Sequence, residues 1–292
     1  MCSIVRTEYP YNMLMAVYED MNNRFQNAKP DETMKLFTGW CVDEINNCIT
    51  VSICSNVNVD EQIKNYLGYE DGIIEIEYVE GPNTPCSNVV AGVKDWVWHG
   101  GYISTISFCA KRRNSAGVWE KGFVIAGHSG QLNQNISING TLVGVVSARQ
   151  YGDNCDVAFV NMNNVNSGYT RSQLLSSNYC ITSHGEVGVV GTTYESHGMS
   201  TGITSGTVSS RSTTARADDD EEGIIWLYDM IKMRISILKG DSGSPLVFPT
   251  GQNTRSVIGT LHGKTDNGYA IYTKYSNIEE QFNLELHYDS LD

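Results

Sequence analysis

The residues best suited to chemistry lie in Gly240-Asp241-Ser242-Gly243-Ser244-Pro245. A serine hydroxyl is a weak nucleophile at neutral pH and needs a base beside it and donors for a developing oxyanion. Gly240 and Gly243 allow a tight turn that brings backbone N–H groups close to a bound carbonyl. The chemistry in view is acyl transfer; a plain Gly/Ser turn with Asp241 as turn former is the alternative. The base would be one of six histidines: His99, His128, His184, His197, His262 or His287. His128 follows the apolar run Phe123-Val124-Ile125 and the small pair Ala126-Gly127, so its imidazole would emerge at a strand end with room beside it. The base in turn needs a carboxylate to orient it. Asp156 opens the apolar run Val157-Ala158-Phe159-Val160, whereas Asp153 in Tyr151-Gly152-Asp153-Asn154 reads as a turn residue.

Short Val/Ile/Phe/Tyr runs between Gly, Asn and Ser signals make most of the chain read as all-β. The first 86 residues differ. Tyr11 to Phe25 has helical apolar spacing, and Asp60 to Leu67 reads as a short helix stopped by Gly68. Segments ending at Asp43 and beginning at Cys48 read as strands around an Asn46-Asn47 turn, and Ile73 to Val79 as another strand. Gly81-Pro82-Asn83-Thr84-Pro85 is a breaker. The expected organisation is an α+β domain over 1–86, a linker over 87–98 and a β domain over 99–292, the last divided near 172. Ala217 to Gly223 reads as a solvated acidic hairpin tip.

The chain order His128, Asp156, Ser242 is opposite to that of α/β-hydrolases, and Ser244 replaces the last glycine of their nucleophile elbow. With the flanking segments, and with Ser200-Thr201-Gly202-Ile203-Thr204-Ser205-Gly206-Thr207-Val208, the order resembles chymotrypsin-fold serine proteases of the streptogrisin and α-lytic branch. The resemblance implies two six-stranded antiparallel β-barrels, about 99–172 and 173–292, with the site between them. It implies Ser242 as nucleophile, His128 as base then acid, Asp156 as orienting carboxylate, and the N–H groups of Gly240 and Ser242 as oxyanion hole. Ser236 falls at the pocket floor, which disfavours a basic side chain before the scissile bond. Leu261-His262-Gly263-Lys264 is similar to the strand that pairs with substrate, and Lys239, His262 and Lys264 would favour an acidic side chain. Trp40, Val42, Asp43 and Val79-Glu80-Gly81 are similar to the family's propeptide, implying a zymogen whose N-terminal domain assists folding and blocks the site until cleaved within 87–98. A catalytically silent protease-like binding module is the alternative.

The charge of −13 is uneven: residues 1–86 hold 5 Lys/Arg against 14 Asp/Glu. With no basic stripe to offset it, nucleic-acid binding is not expected. No apolar run approaches the roughly 20 residues of a membrane helix. No secretory signal is visible, although the resemblance implies a secreted enzyme. No Cys-x-x-Cys or His-x-x-x-His pattern occurs, so neither metal nor cofactor is expected. The expected partner is a protein or peptide substrate, and the expected state a monomer. Of eight cysteines, five lie in residues 1–86. Ser129 and Leu238 occupy positions where the family often has cysteine, so its usual bridges are mostly absent. Asn135 and Asn139 begin formal glycosylation sequons.

Overall fold

The structure is a computed structural model and describes residues 8–29, 31–70, 72–82, 84–85, 96–99, 102–138, 141–163, 179–220 and 222–286. Cys2, Cys86, most of the linker, the Asn139 sequon, His287 and the division near residue 172 lie outside them. The His99 side chain does too.

The first β-barrel uses the strands Trp96–His99, Tyr102–Thr105, Cys109–Arg113, Trp119–Ile125, Asn135–Ile138, Thr141–Gly152 and Cys155–Asn161. Tyr102–Thr105 pairs with Trp96–His99, while Cys109–Arg113 pairs with Trp119–Ile125. Between them, Ser107 N–H reaches Val124 O and Val124 N–H reaches Phe108 O. Residues 102–113 thus act as one bent strand, and six strands form a ring closed by the chain itself. Side chains of Cys155–Asn161 alternate as a pleated strand requires. Ala158 and Val160 fill this barrel, while Cys155, Val157 and Phe159 face the core shared with the second one.

The second barrel closes by ladder pairing alone. Its ring runs Thr193–Gly198, Pro245–Pro249, Thr254–Lys264, Ala270–Lys274, Gly223–Arg234, Gly202–Asp219 and back. The two-barrel, mainly β architecture agrees with the expected fold class. One assignment differs. After the helix Tyr275–Phe282, the strand Leu284–Leu286 leaves the second barrel and pairs with Cys109–Arg113 of the first. Leu284, Phe282 and Ile278 are buried in the shared core, and that burial draws the chain end across.

The N-terminal helix spans Tyr11–Asn27 and buries Leu14, Tyr18, Met21 and Phe25 on one face. It covers the strands Phe37–Asp43, Cys48–Ile53 and Ile74–Tyr78. Phe37–Asp43 also pairs with the outer half of the long second-barrel hairpin, Gly39 opposite Ala215 and Cys41 opposite Thr213. The N-terminal sheet is therefore an extension of the second barrel. At the acidic tip, Glu222 pairs with Arg149 of the first barrel at 2.5 Å, so the tip is anchored as well as solvated. Cys41, Cys48, Cys54, Cys155 and Cys180 are free thiols. Burial pushes Cys48 up to about 12 and Cys155 well above the usual thiol range, which makes them unreactive apolar fillers.

Candidate active site

His128 sits in the single turn Gly127–Ser129 that ends the strand Trp119–Ile125. A Cβ at Gly127 would lie 2.4 Å from Gln150 O and 2.8 Å from Asp156 Oδ1, so only glycine lets this turn approach. Asp156, fully buried near the start of Cys155–Asn161, accepts the His128 backbone N–H at 2.7 Å through Oδ1. Its Oδ2 lies 2.6 Å from His128 Nδ1, and His128 Nε2 lies 2.9 Å from Ser242 Oγ. An ionised carboxylate only accepts, so His128 Nδ1 carries the proton and Nε2 presents a lone pair to the serine hydroxyl.

The loop carrying Ser242 is fastened from both barrels. Asp241, fully buried, accepts from Ser200 N and Thr201 N through Oδ1, at 2.8 and 3.2 Å. Its Oδ2 accepts from Thr201 Oγ1 and Leu238 N, each at 2.8 Å. Ser200 Oγ donates to Lys239 O at 2.6 Å. From the first barrel, Thr105 Oγ1 donates to Gly240 O, and Thr105 N and Ser104 Oγ donate to Ser242 O. Gly240 and Gly243 have φ of 96° and 87°, conformations that favour glycine. A Cβ on Gly243 would meet Thr105 O at 2.2 Å.

His262 departs from its expected place. It is fully buried, and its Nδ1 lies 2.7 Å from Asp156 Oδ2, the oxygen that His128 also uses. Spacing from Ser242 indicates the right strand but not which way a buried ring turns. His262 Nε2 is buried without a hydrogen-bond partner among the described residues. Ser236 and Lys239 are exposed, and Lys264 is half-buried at the end of the strand Thr254–Lys264. The roles of Asp241, Ser104 and Thr105 escape sequence reasoning, because anchoring depends on contacts from distant loops. The one available signal is the Ser200-Thr201 pair, singled out only as part of a hairpin motif.

Burial opposes ionisation of Asp156, yet its interactions with His128 and then with His262 prevail and hold its carboxyl far below the usual range. Burial pushes His262 below the usual histidine value against the pull of Asp156, leaving a neutral ring. Tyr151 flanks both rings, 5.8 Å from His128 and 6.4 Å from His262. Burial and the Asp156 charge push its phenol up. His128, Asp156 and His262 also form a group with metal-ligand spacing, their ligand atoms within 4.8 Å of one another. In the hydrogen-bonded arrangement both facing nitrogens hold protons, which a metal would have to displace.

The edge beside Ser242 is occupied by the chain itself. Pro245–Pro249 covers Thr254–Lys264 up to Thr260, and Gly243 and Ser244 continue the pairing at Leu261. Ser242 Oγ is 3.3 Å from His262 O. One residue further, Gly263 and Lys264 pair antiparallel with Pro85 and Thr84. Ser242 is 0 % exposed.

Among solved structures, the chain is similar in fold to Thermobifida fusca Protease A, at 20% identity and a TM-score of 0.51, over 67% of this chain and 97% of that one. It also matches Nocardiopsis protease at 21% identity over 66% and 96% of the two chains, with a TM-score of 0.49. Cellulomonas bogoriensis chymotrypsin matches at 20% identity over 67% and 97%, with a TM-score of 0.49. The sequence model of the Trypsin family matches residues 99–280, well over half of the chain, from the end of the first barrel's first strand into the last helix. By that match the chain belongs to the trypsin family of chymotrypsin-fold proteases.

Proposed function

We propose that this chain is a serine endopeptidase working through Ser242, His128 and Asp156 and made as a zymogen. The observation that carries the reading is the unbroken line of hydrogen bonds from Ser242 Oγ through His128 to Asp156, at 2.9 and 2.6 Å. As the substrate carbonyl is attacked, the Ser242 proton passes to His128 Nε2, and the ionised Asp156 stabilises the imidazolium. The carbonyl oxygen becomes an oxyanion facing the N–H groups of Gly240 and Ser242. Collapse breaks the C–N bond as His128 returns the proton to the leaving amine, leaving an acyl ester on Ser242. Water, deprotonated by His128, then hydrolyses the ester.

The zymogen reading is supported by the edge pairing. A substrate strand adds to an exposed sheet edge through main-chain hydrogen bonds, and here Thr84 and Pro85 take that edge at Lys264 and Gly263. The N-terminal α+β domain is then an intramolecular inhibitor and folding aid of the streptogrisin and α-lytic type. Specificity is set by Ser236, Lys239 and Lys264. With His262 Nδ1 turned to Asp156, an acidic preference rests on the two lysines, and peptide-library profiling that shows a large-apolar preference removes it.

A fluorophosphonate probe tests the reading. Labelling of the wild type, before or after limited proteolysis of the N-terminal domain, together with silence of Ser242→Ala, is expected. No labelling in either state sinks the enzyme reading and favours a silent binding module.

A further inference from the structure

We infer that His262 is a positioning residue of the triad, a second imidazole that holds the Asp156 carboxylate in place and shares its charge with His128. The inference rests on the serine-protease reading above. Its basis is geometric. His128 Nδ1 and His262 Nδ1 approach the same oxygen, Asp156 Oδ2, at 2.6 and 2.7 Å. The two rings stand edge to face, 86° apart, with centroids 5.3 Å apart.

A carboxylate oxygen accepts only, so each facing nitrogen must carry a hydrogen. His262 is therefore the Nδ1–H tautomer with a bare lone pair at Nε2. That Nε2 finds no hydrogen-bond partner among the described residues although the ring is 0 % exposed. Leaving a buried acceptor unmatched costs stability. Retaining the ring there at that cost points to the Nδ1–H bond as what the position supplies.

The consequence is electrostatic. Each N–H donated to Asp156 spreads its negative charge, so His262 weakens the hold of Asp156 on a proton at His128. The base is then free at lower pH than it would be over an unshared carboxylate. Other titratable or charged groups face the cluster from the packed elements. They are the Tyr151 phenol, Arg149 with its guanidinium 5.4 Å from the Tyr151 ring centroid, and the buried Cys155 thiol next to Asp156. Thr273 Oγ1 accepts the Asp156 backbone N–H at 3.1 Å and adds no charge.

The test compares full-length wild type, His262→Phe and His262→Asn. Phenylalanine keeps the ring and removes the donor; asparagine places an amide N–H at the same distance from Cβ as Nδ1. The readouts are the pH dependence of inactivation by a small fluorophosphonate and the far-downfield ring N–H signals in proton NMR. Expected for wild type are two such signals. For His262→Phe one signal is lost and the other moves, inactivation slows about 10- to 100-fold, and the acid limb moves up by roughly one pH unit. His262→Asn restores most of the rate and the wild-type limb. The inference is overturned if folded His262→Phe keeps the wild-type limb and an unmoved His128 signal, or if His262→Asn matches His262→Phe. Should His262→Phe fail to fold, a displaced acid limb in His262→Asn, with the His128 signal unmoved, overturns it equally. Wild type that never reacts with the probe sinks the protease reading instead, and the two NMR signals still test the shared carboxylate.

Discussion

Two of the contacts between the N-terminal residues and the second barrel differ greatly in strength. At the outer hairpin, Trp40 packs on Phe25 and Trp226 with centroids 4.5 and 5.3 Å away, and its Nε1–H donates to Asn22 Oδ1. Thr214 Oγ1 donates to the same Asn22 oxygen, Asp229 N–H to the Tyr18 hydroxyl, and Arg216 to Lys35 O. At the catalytic edge, by contrast, two residues pair with two residues. A buried aromatic cluster contributes several kcal/mol, whereas a two-residue ladder is easily displaced. On the zymogen reading proposed above, the strong contact holds the N-terminal segment and the weak one closes the site. Severing the chain between them would leave the domain attached through the hairpin.

The difference can be broken from either side. The largest effect is expected from Ser242→Ala, which removes fluorophosphonate labelling and lowers turnover about 10⁶-fold. In the wild type, intact-mass measurement should reveal self-cleavage shortly past Pro85, and in Ser242→Ala the chain should stay whole. Trp40→Ala should cost about 3–5 kcal/mol of N-terminal domain stability. Chemical denaturation followed by Trp fluorescence should then show that domain releasing before the barrels do.

Acid attacks the catalytic side. Asp156 has a folded value below its unfolded one, so the stability it contributes is present above about pH 4 and lost as pH falls further. His262 is likewise depressed, so the unfolded chain binds its proton first and stability declines as pH falls below about 6.5. Both slopes have the same sign, and thermal melts should hold level from pH 8 to about 6.5 and fall from there to pH 3. The smallest effect is expected from Glu222→Ala, which removes a partly exposed pair with Arg149 and should cost about 0.2–1 kcal/mol in a melt.

What the residue order conveys is the chemistry; what it withholds is direction. His128, Asp156 and Ser242 stand out because each follows or opens an apolar run or sits between glycines, and the structure brings the three side chains into one hydrogen-bonded line. The helix over Tyr11–Asn27, with its apolar face, and the one beginning at Asp60 are legible from spacing and from Gly68. His262 reads as a specificity residue because spacing cannot tell which wall of a strand a ring faces. The bend that lets residues 102–113 serve two neighbours has no local marker, since it arises from barrel closure. Leu284–Leu286 falls within the range expected for the second barrel, and its pairing with the first depends on a core shared by both.

Asp241 carries a consequence for timing. All four hydrogen bonds to its carboxylate among the described residues come from groups within the protease part of the chain, two backbone N–H groups and a hydroxyl from the Ser200-Thr201 turn and one N–H from Leu238. That is about as many donors as a carboxylate can accommodate. The nucleophile loop therefore awaits no newly made terminus to take its working shape. On the zymogen reading proposed above, latency is a matter of an occupied doorway, and once the doorway clears, activity should rise in step with cleavage, without a lag.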